Sequence, residues 1–278
     1  MKTNQSIAVL MTSYNRKKIT LDSLNNLYNQ NFNFDVYLVI DGSTDGTKEE
    51  VQKFFPYVNC IDGSGELFWN QGMRLAWKTA NKNSDYDFFI WLNDDTILKD
   101  DSLSEIFNCY YEMKEKDKES IVVGACQDLD TKEFTYGGRD DKGPILPNKA
   151  IQNCKYINGN VVLVSSKVFS KLGYLSNDYT HAMGDIDYGL RALKNNISLV
   201  TTKNYIGFCS NDKNIERWRD PNQSIMDRWK NLNSPKGLNL KEYKIFRKKF
   251  WPKVYMLYII KVYFRFLFPR IYNFIKRN

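Results

Sequence analysis

The chain has 278 residues, 42% hydrophobic and 26% charged, which gives a sizeable globular core and excludes a disordered, collagen-like or disulfide-stapled chain. Its net charge of +8 is unevenly placed: Lys241 to Asn278 carry 11 Lys or Arg against one acid, Glu242, while the preceding 240 residues hold 29 basic and 31 acidic side chains. The same tail holds 12 of the 41 aromatics, so a near-neutral body carries a basic, aromatic appendage.

In chain order, Ile7–Met11 is an apolar run that predicts a buried strand, followed by a helix with Leu21, Leu24 and Leu27 on one face. Val36–Ile40 predicts a second strand, and Thr47 with Glu50 reads as a capping box opening the next helix. Met73, Ala76, Trp77 and Ala80 lie at helical spacing, Phe88–Leu92 is another buried strand, and Ser102 with Glu105 reads as the cap of a helix running to about Met113. Further on, Ile121–Ala125 and Val161–Val164 predict strands, with loops and a small hairpin between Gln127 and Pro147. Ser165 or Ser166 starts a short helix that Gly173 stops, a helix follows Asp185, and Ile197–Thr201 is the final strand. Turn residues at 233–237 place a boundary, giving a body of 1–235 and a helical tail of 236–278. Strands alternating with helices in short units predict an α/β fold with an open, mostly parallel central sheet, whose ligands bind beyond the carboxyl ends of the strands.

Five cysteines, odd in number and widely spaced, form no close pair of the kind zinc or redox motifs use, which favours a reduced compartment. The polar start and the short apolar run at 7–11 predict no signal peptide, and no run reaches membrane-spanning length. The expected location is therefore the cytoplasm.

Three strand ends carry polar clusters: Thr12-Ser-Tyr-Asn-Arg16, Asp41-Gly-Ser-Thr-Asp45 and Asn93-Asp94-Asp95. Carboxylates crowded at one sheet edge repel unless they hold a cation. Hard divalent ions take one or two carboxylates and fill the remaining shell with phosphate and water oxygens. A metal-bound nucleotide diphosphate is the simplest occupant, against the alternative that these residues merely form turns.

Met11-Thr-Ser-Tyr-Asn15, Val39-Ile-Asp-Gly-Ser-Thr-Asp-Gly-Thr47, Leu92-Asn-Asp-Asp95 and Met183-Gly-Asp-Ile-Asp-Tyr-Gly-Leu-Arg-Ala192 together resemble family 2 glycosyltransferases, the inverting GT-A (Rossmann-like) fold, over about residues 7–235. Gly65–Arg74 is also similar to a rhamnosyltransferase-like subgroup of polysaccharide-building enzymes. The resemblance implies that Tyr14 stacks on a nucleobase beside Thr12, with Arg16 in the same donor-binding segment, and that Asp41 hydrogen-bonds a pyrimidine edge. It implies that Asp95, with help from Asp94, ligates Mg²⁺ or Mn²⁺ on the diphosphate of a UDP- or dTDP-sugar. Asn70, Gly72 and Arg74 match a segment lining the donor site. Asp185 matches the base position, with Asp187 as the alternative and Arg191 as a structural partner for these acids. The chain departs from the pattern at Asn93 and Gly184, where acids are usual. His181 stays outside the catalytic set. Trp69 and Trp91 are core aromatics by default. Trp218 is an acceptor-loop candidate, with Arg217 or Arg219 beside it as a brace for the diphosphate.

The tail, Lys244, Lys248, Lys249, Lys253, Lys261 and Arg265 among Tyr, Phe, Leu and Ile, suits an anionic membrane surface. Single-stranded nucleic acid ranks below this, because the body offers no continuing basic groove. The expected activity is sugar transfer to a glycan or lipid-linked acceptor in cell-surface polysaccharide synthesis, at the inner face of the membrane, with the oligomeric state open. Two alternatives remain: a sugar-nucleotide nucleotidyltransferase, which would need a glycine-rich loop after the first strand, and a non-catalytic membrane adaptor on a degenerate scaffold.

Overall fold

A computed structural model describes residues 5–210 and 216–277 of the chain. The chain divides into two compact units, one of Met1–Ser176 with Gly184–Asn211, the other of Asn177–Met183 with Asp212–Asn278. The boundary expected near residue 235 thus falls inside the second unit, because the helix before it shares a core with the tail.

The first unit is a helix–sheet–helix sandwich. Its elements begin with β1 (Ile7–Ser13), α1 (Lys17–Tyr28), β2 (Asp35–Ile40), α2 (Thr47–Phe54), β3 (Asn59–Asp62), α3 (Phe68–Asn83) and β4 (Phe88–Leu92). They continue with β5 (Ile97–Leu98), α4 (Ser102–Glu115), β6 (Ser120–Gln127), β7 (Phe134–Tyr136), β8 (Gln152–Asn153), β9 (Val161–Ser165), α5 (Ser166–Leu172), α6 (Gly184–Lys194) and β10 (Ser198–Phe208). The strands form one sheet in the order β3-β2-β1-β4-β9-β6-β10-β5, with β7 on β6 and β8 on β10. Strands β1 to β4 run parallel, and β6 pairs parallel with β10. Strand β9 runs against β4 and β6.

Alternation along β1 explains the two-sided core. Ile7, Val9 and Met11 pack with Leu24 and Leu27 of α1 and Leu103 and Ile106 of α4. Ala8 and Leu10 point the other way, to Met73 and Trp77 of α3, Val168 of α5 and Tyr188 of α6. Trp77 is fully buried, with the rings of Phe89, Phe169, Trp91 and Tyr188 within 5.7 Å. Such a site loses about 3–5 kcal/mol on truncation to alanine.

Two helix starts differ from the sequence reading. Gly46, at φ 79°, occupies the N-cap of α2, and Thr47 is already helical. Its amide donates to Asp45 Oδ1. Asp101, not Ser102, occupies the N-cap position of α4, without a side-chain capping bond; the Ser102 hydroxyl donates to the Lys99 and Ile206 carbonyls, and Glu105 accepts from the Lys203 amide. Polar side chains close to a helix start have several partners within reach; the preceding loop takes Thr47, and β10 takes Ser102 and Glu105. Ser165 does cap α5, and Gly173 stops it at φ 68°. Strands β3 and β8 are too short and too polar to show as apolar runs, and β5 is only the two residues Ile97–Leu98. β10 extends to Phe208 through irregular register between Thr201 and Gly207.

The second unit contains a 3-10 turn (Arg217–Arg219), α7 (Ile225–Asn233), α8 (Leu240–Phe250), α9 (Tyr255–Leu267) and α10 (Pro269–Arg277). Trp218, Leu232, Leu240, Val262 and Phe266 form its core. Trp218 is therefore a packed anchor and no exposed acceptor platform. Arginines here lie on rings: Arg247 is 4.0 Å from the Tyr258 centroid and Arg265 4.5 Å from that of Tyr272. Glu242 accepts from the amide and hydroxyl of Thr180. Among the described residues, no helix is long and apolar enough to cross a membrane. All five thiols are free.

Candidate functional site

Strand order reverses at β1, which has β2 on one side and β4 on the other. A crevice opens beyond the carboxyl ends of strands at such a reversal. The three polar clusters leave the sheet there.

The loops after β1 and β2 are clasped together. Asn15, at φ 50°, donates its amide to Ser43 and accepts from the Thr44 amide at 2.7 Å, while Asp45 accepts from the Lys17 amide at 2.9 Å. This clasp leaves Tyr14 half-exposed on the rim, 49% accessible. Asp41 is buried, with Oδ1 accepting from the Gly65 amide and Oδ2 from the Phe68 amide, each at 2.8 Å. It orders the 63–68 loop that starts α3. On α3, Asn70 is buried and donates to the Ser176 carbonyl. Gly72 lets the helix close on Thr12, since a Cβ there would overlap the threonine hydroxyl. Arg74 donates to the Leu175 carbonyl at 3.0 Å. These residues shape the wall between α3 and β1.

After β4, Asp94 and Asp95 both reach Arg16, whose Nη1 lies 3.1 Å from Asp94 Oδ1 and 2.8 Å from Asp95 Oδ2. Asp94 is nearly sealed from solvent, and its Oδ2 has no hydrogen-bond partner. Burial pushes its pKa up to about 6, against the pull of Arg16. Asp95 is more open and also accepts from the buried Cys209 thiol at 3.5 Å. Asn93 accepts from the Trp69 indole at 2.7 Å, and its amide donates to the Asn160 carbonyl. The carboxamide at 93 thus holds α3 to the end of β4, while its backbone amide joins that end to the residue preceding β9.

Asp185, in the first turn of α6, accepts from the Ile186 amide at 2.7 Å and the Gly159 amide at 3.1 Å. Burial pushes its pKa up to about 6, and these amides moderate the rise. Gly159 packs against the Trp69 ring, so Asp185 is tied through Gly159 and Trp69 to Asn93. Asp187 points away, fully buried, to Arg191 Nε at 2.7 Å. Arg191 also donates to the Leu172 and Tyr174 carbonyls. The acid pair predicted on this helix therefore separates into one carboxylate at the edge and one in a structural ion pair. Gly184 fits because a Cβ would overlap Asn70 Oδ1.

The structure thus gathers Thr12, Tyr14, Arg16, Asp41, Asp94, Asp95 and Asp185 at one sheet edge, with Asn70, Gly72 and Arg74 behind it. Arg219 pairs with Glu216 in the second unit. Gly159, Asn160 and Cys209 were missed as supports. Nothing in the sequence marks them, because their roles depend on the antiparallel course of β9 and the long β10.

Residues 8–174 match the family described as Glycosyl transferase family 2. No curated protein matches. Among solved structures, the chain is similar to the mannosyltransferase PcManGT from Pyrobaculum calidifontis in complex with GDP-Man and Mn²⁺, at 14% identity and TM-score 0.58, covering 87% of this chain and 64% of that one. It is also similar to S. aureus TarS 1-349 in complex with UDP-GlcNAc, at 14% identity and TM-score 0.59, covering 95% and 79%. At these identities the likeness concerns the fold.

Proposed function

The chain belongs to glycosyl transferase family 2, and from that premise we propose that it moves a sugar, with inversion, from a UDP- or dTDP-sugar to a hydroxyl of a glycan or lipid-linked acceptor in cell-surface polysaccharide synthesis. The observation that carries this reading is the separation of acids at one edge: Asp94 and Asp95 beside Arg16, and Asp185 on α6, held by two backbone amides with its pKa raised by burial to about 6.

Asp185 is the base. Its carboxylate takes the acceptor hydroxyl proton as the oxygen forms a bond to the anomeric carbon, and the bond from that carbon to the diphosphate breaks on the opposite face. The amides of Ile186 and Gly159 hold the carboxylate in place. Asp187 is committed to Arg191 and takes no part. Tyr14 offers its exposed ring to the nucleobase. Asp41 faces the pyrimidine side through the loop it orders, and Thr12, Asn70, Gly72 and Arg74 fix the donor-side wall.

Among the described residues no group of three or more His, Cys, Asp or Glu gathers to hold a metal. The two carboxylates, with the unpartnered Asp94 Oδ2, still fit a hard divalent ion that takes its remaining oxygens from a diphosphate and water. Asp95, with Asp94, would hold Mg²⁺ or Mn²⁺, which when bound neutralises charge on the leaving diphosphate. Arg16 already places a cation against both acids and leaves one positive group at the phosphates.

We place the enzyme on the inner face of the cell membrane, with the second unit as its lipid-facing part. The support is the run of solvent-facing Met256, Leu257, Ile260, Phe264, Ile271 and Phe274 among basic residues.

Thermal stabilisation by a panel of UDP-, dTDP- and GDP-sugars, with and without Mn²⁺, tests the donor assignment. A Mn²⁺-dependent rise in melting temperature with a pyrimidine sugar nucleotide, lost in Asp95→Ala, is expected. Equal stabilisation of Asp95→Ala would remove the metal role.

A further inference from the structure

At the junction of α9 and α10 a cavity of about 320 Å³ is lined by Arg228, Arg270, Leu267, Phe268, Pro269 and Ile271, all within the second unit. Arg228 is the unusual member. It is only 6% exposed, its Nε makes no hydrogen bond, and among the described residues no carboxylate pairs with it. Its guanidinium lies 5.2 Å from the Phe266 ring centroid, a modest compensation for a cation withdrawn from water. The nearby acids are engaged: Asp227 accepts from the Ser224 hydroxyl, and Asp220 from the Asn222 amide. Among the described residues, this buried, fork-shaped cation faces a cavity with a second arginine and no acid in its wall, and so meets no anion. A planar guanidinium suits phosphate, which it binds through two parallel hydrogen bonds.

The surroundings select the source of that phosphate. Leu267, Phe268 and Ile271 are half-exposed at the cavity mouth. They continue into Ile260 and Phe264 on α9 and Phe274 and Ile275 on α10, an apolar face turned to solvent. A free phosphate has no use for that face; a lipid has a phosphate at the depth where such a face meets acyl chains.

We propose that the α9–α10 junction is a phospholipid headgroup site, in which Arg228 and Arg270 bind the phosphodiester of an anionic membrane lipid and the flanking apolar side chains enter the interface. This rests on the membrane reading above and adds a specific pocket to what would otherwise be diffuse attraction between a basic tail and a charged surface.

The test is partitioning of the full chain onto phosphatidylglycerol-containing vesicles, comparing Arg228→Gln and Arg270→Gln with Lys248→Gln, an exposed α8 charge. Lys248→Gln should weaken binding roughly fivefold at low salt and match the unsubstituted protein at about 0.5 M NaCl, where screening shortens to roughly 4 Å. The two arginine variants should weaken binding roughly tenfold or more, and that deficit should persist in salt. Arg228→Gln should melt no lower than the unsubstituted chain, having lost an unpaired buried cation. Exposed Arg270 supplies the same readout should Arg228→Gln fail to fold. Arginine variants that behave like Lys248→Gln at both salts overturn the site while leaving the membrane reading intact. Failure of the unsubstituted chain to bind these vesicles ends both. Stabilisation by inorganic phosphate without vesicle binding reassigns the pocket to a soluble anion and overturns the lipid proposal.

Discussion

The Gly159 amide donates to the Asp185 carboxylate across 3.1 Å, joining the helix that carries the proposed base to the turn packed against Trp69. The carboxylate is held by amides and not by a cation, so burial prevails and its pKa rises to about 6. A base of that kind is ionised at neutral pH yet retains enough basicity to take a proton in the transition state. Asp185→Asn should lower kcat by roughly 10²–10⁴-fold while donor binding, read by thermal shift, survives. In the unsubstituted enzyme kcat/KM should climb with pH to a plateau, with a midpoint near 6. Undiminished turnover by Asp185→Asn would remove it from this role.

The same carboxylate makes a prediction about stability. Its folded pKa lies above its ordinary value, so between about pH 4 and pH 6 the folded state holds a proton that the unfolded chain has released. The stability contribution is therefore best below pH 4 and declines as pH rises through 6, after which it stays low. Asp185→Asn removes the penalty and should stabilise the fold at pH 7.5 by on the order of 2 kcal/mol, with little gain near pH 4. Urea melts at the two pH values measure this difference, and equal effects at both would contradict the burial account.

Asp187 and Arg191 should behave differently. Their 2.7 Å ion pair is buried, and Arg191 also spans to the carbonyls of Leu172 and Tyr174. Asp187→Ala strands a guanidinium and should cost about 3–5 kcal/mol in urea unfolding. The activity of the remaining folded enzyme, and its pH midpoint, should stay unchanged. A shifted pH profile in Asp187→Ala would reopen the choice between the two acids.

Much of this was legible in the sequence because strands buried on both faces declare themselves as apolar runs. Ile7–Met11, Val36–Ile40 and Phe88–Leu92 each did, and the residues following them fall at the candidate site. The helix caps at Thr47 and Ser102 were misread because a hydroxyl near a helix start finds other partners: Thr47 turns to Asp45, and Ser102 to carbonyls including that of Ile206 on β10. Trp218 illustrates a second limit. Its flanking arginines suggested a surface loop, but its ring fills the core of the second unit. That Arg228 meets no carboxylate among the described residues has no sequence signature, since pairing is a property of three-dimensional neighbours.

The departure at position 184 has a structural cause that can be tested by double substitution. Asn70 is buried on α3, and its carboxamide occupies the space into which a Cβ on Gly184 would project. A side chain at 184 enters that space only if Asn70 shifts. Gly184→Ala alone should therefore destabilise by about 1–3 kcal/mol, despite alanine's better helix propensity, because overpacking outweighs the propensity gain. Asn70→Ala alone should also destabilise, by leaving the Ser176 carbonyl without its donor. In the double variant the alanine at 184 enters the space the carboxamide vacated, so the combined loss should fall short of the sum by at least 0.5 kcal/mol, as expected for residues in direct contact. A strictly additive cycle would show that Asn70 does not set the residue at 184, and the glycine would then need another explanation.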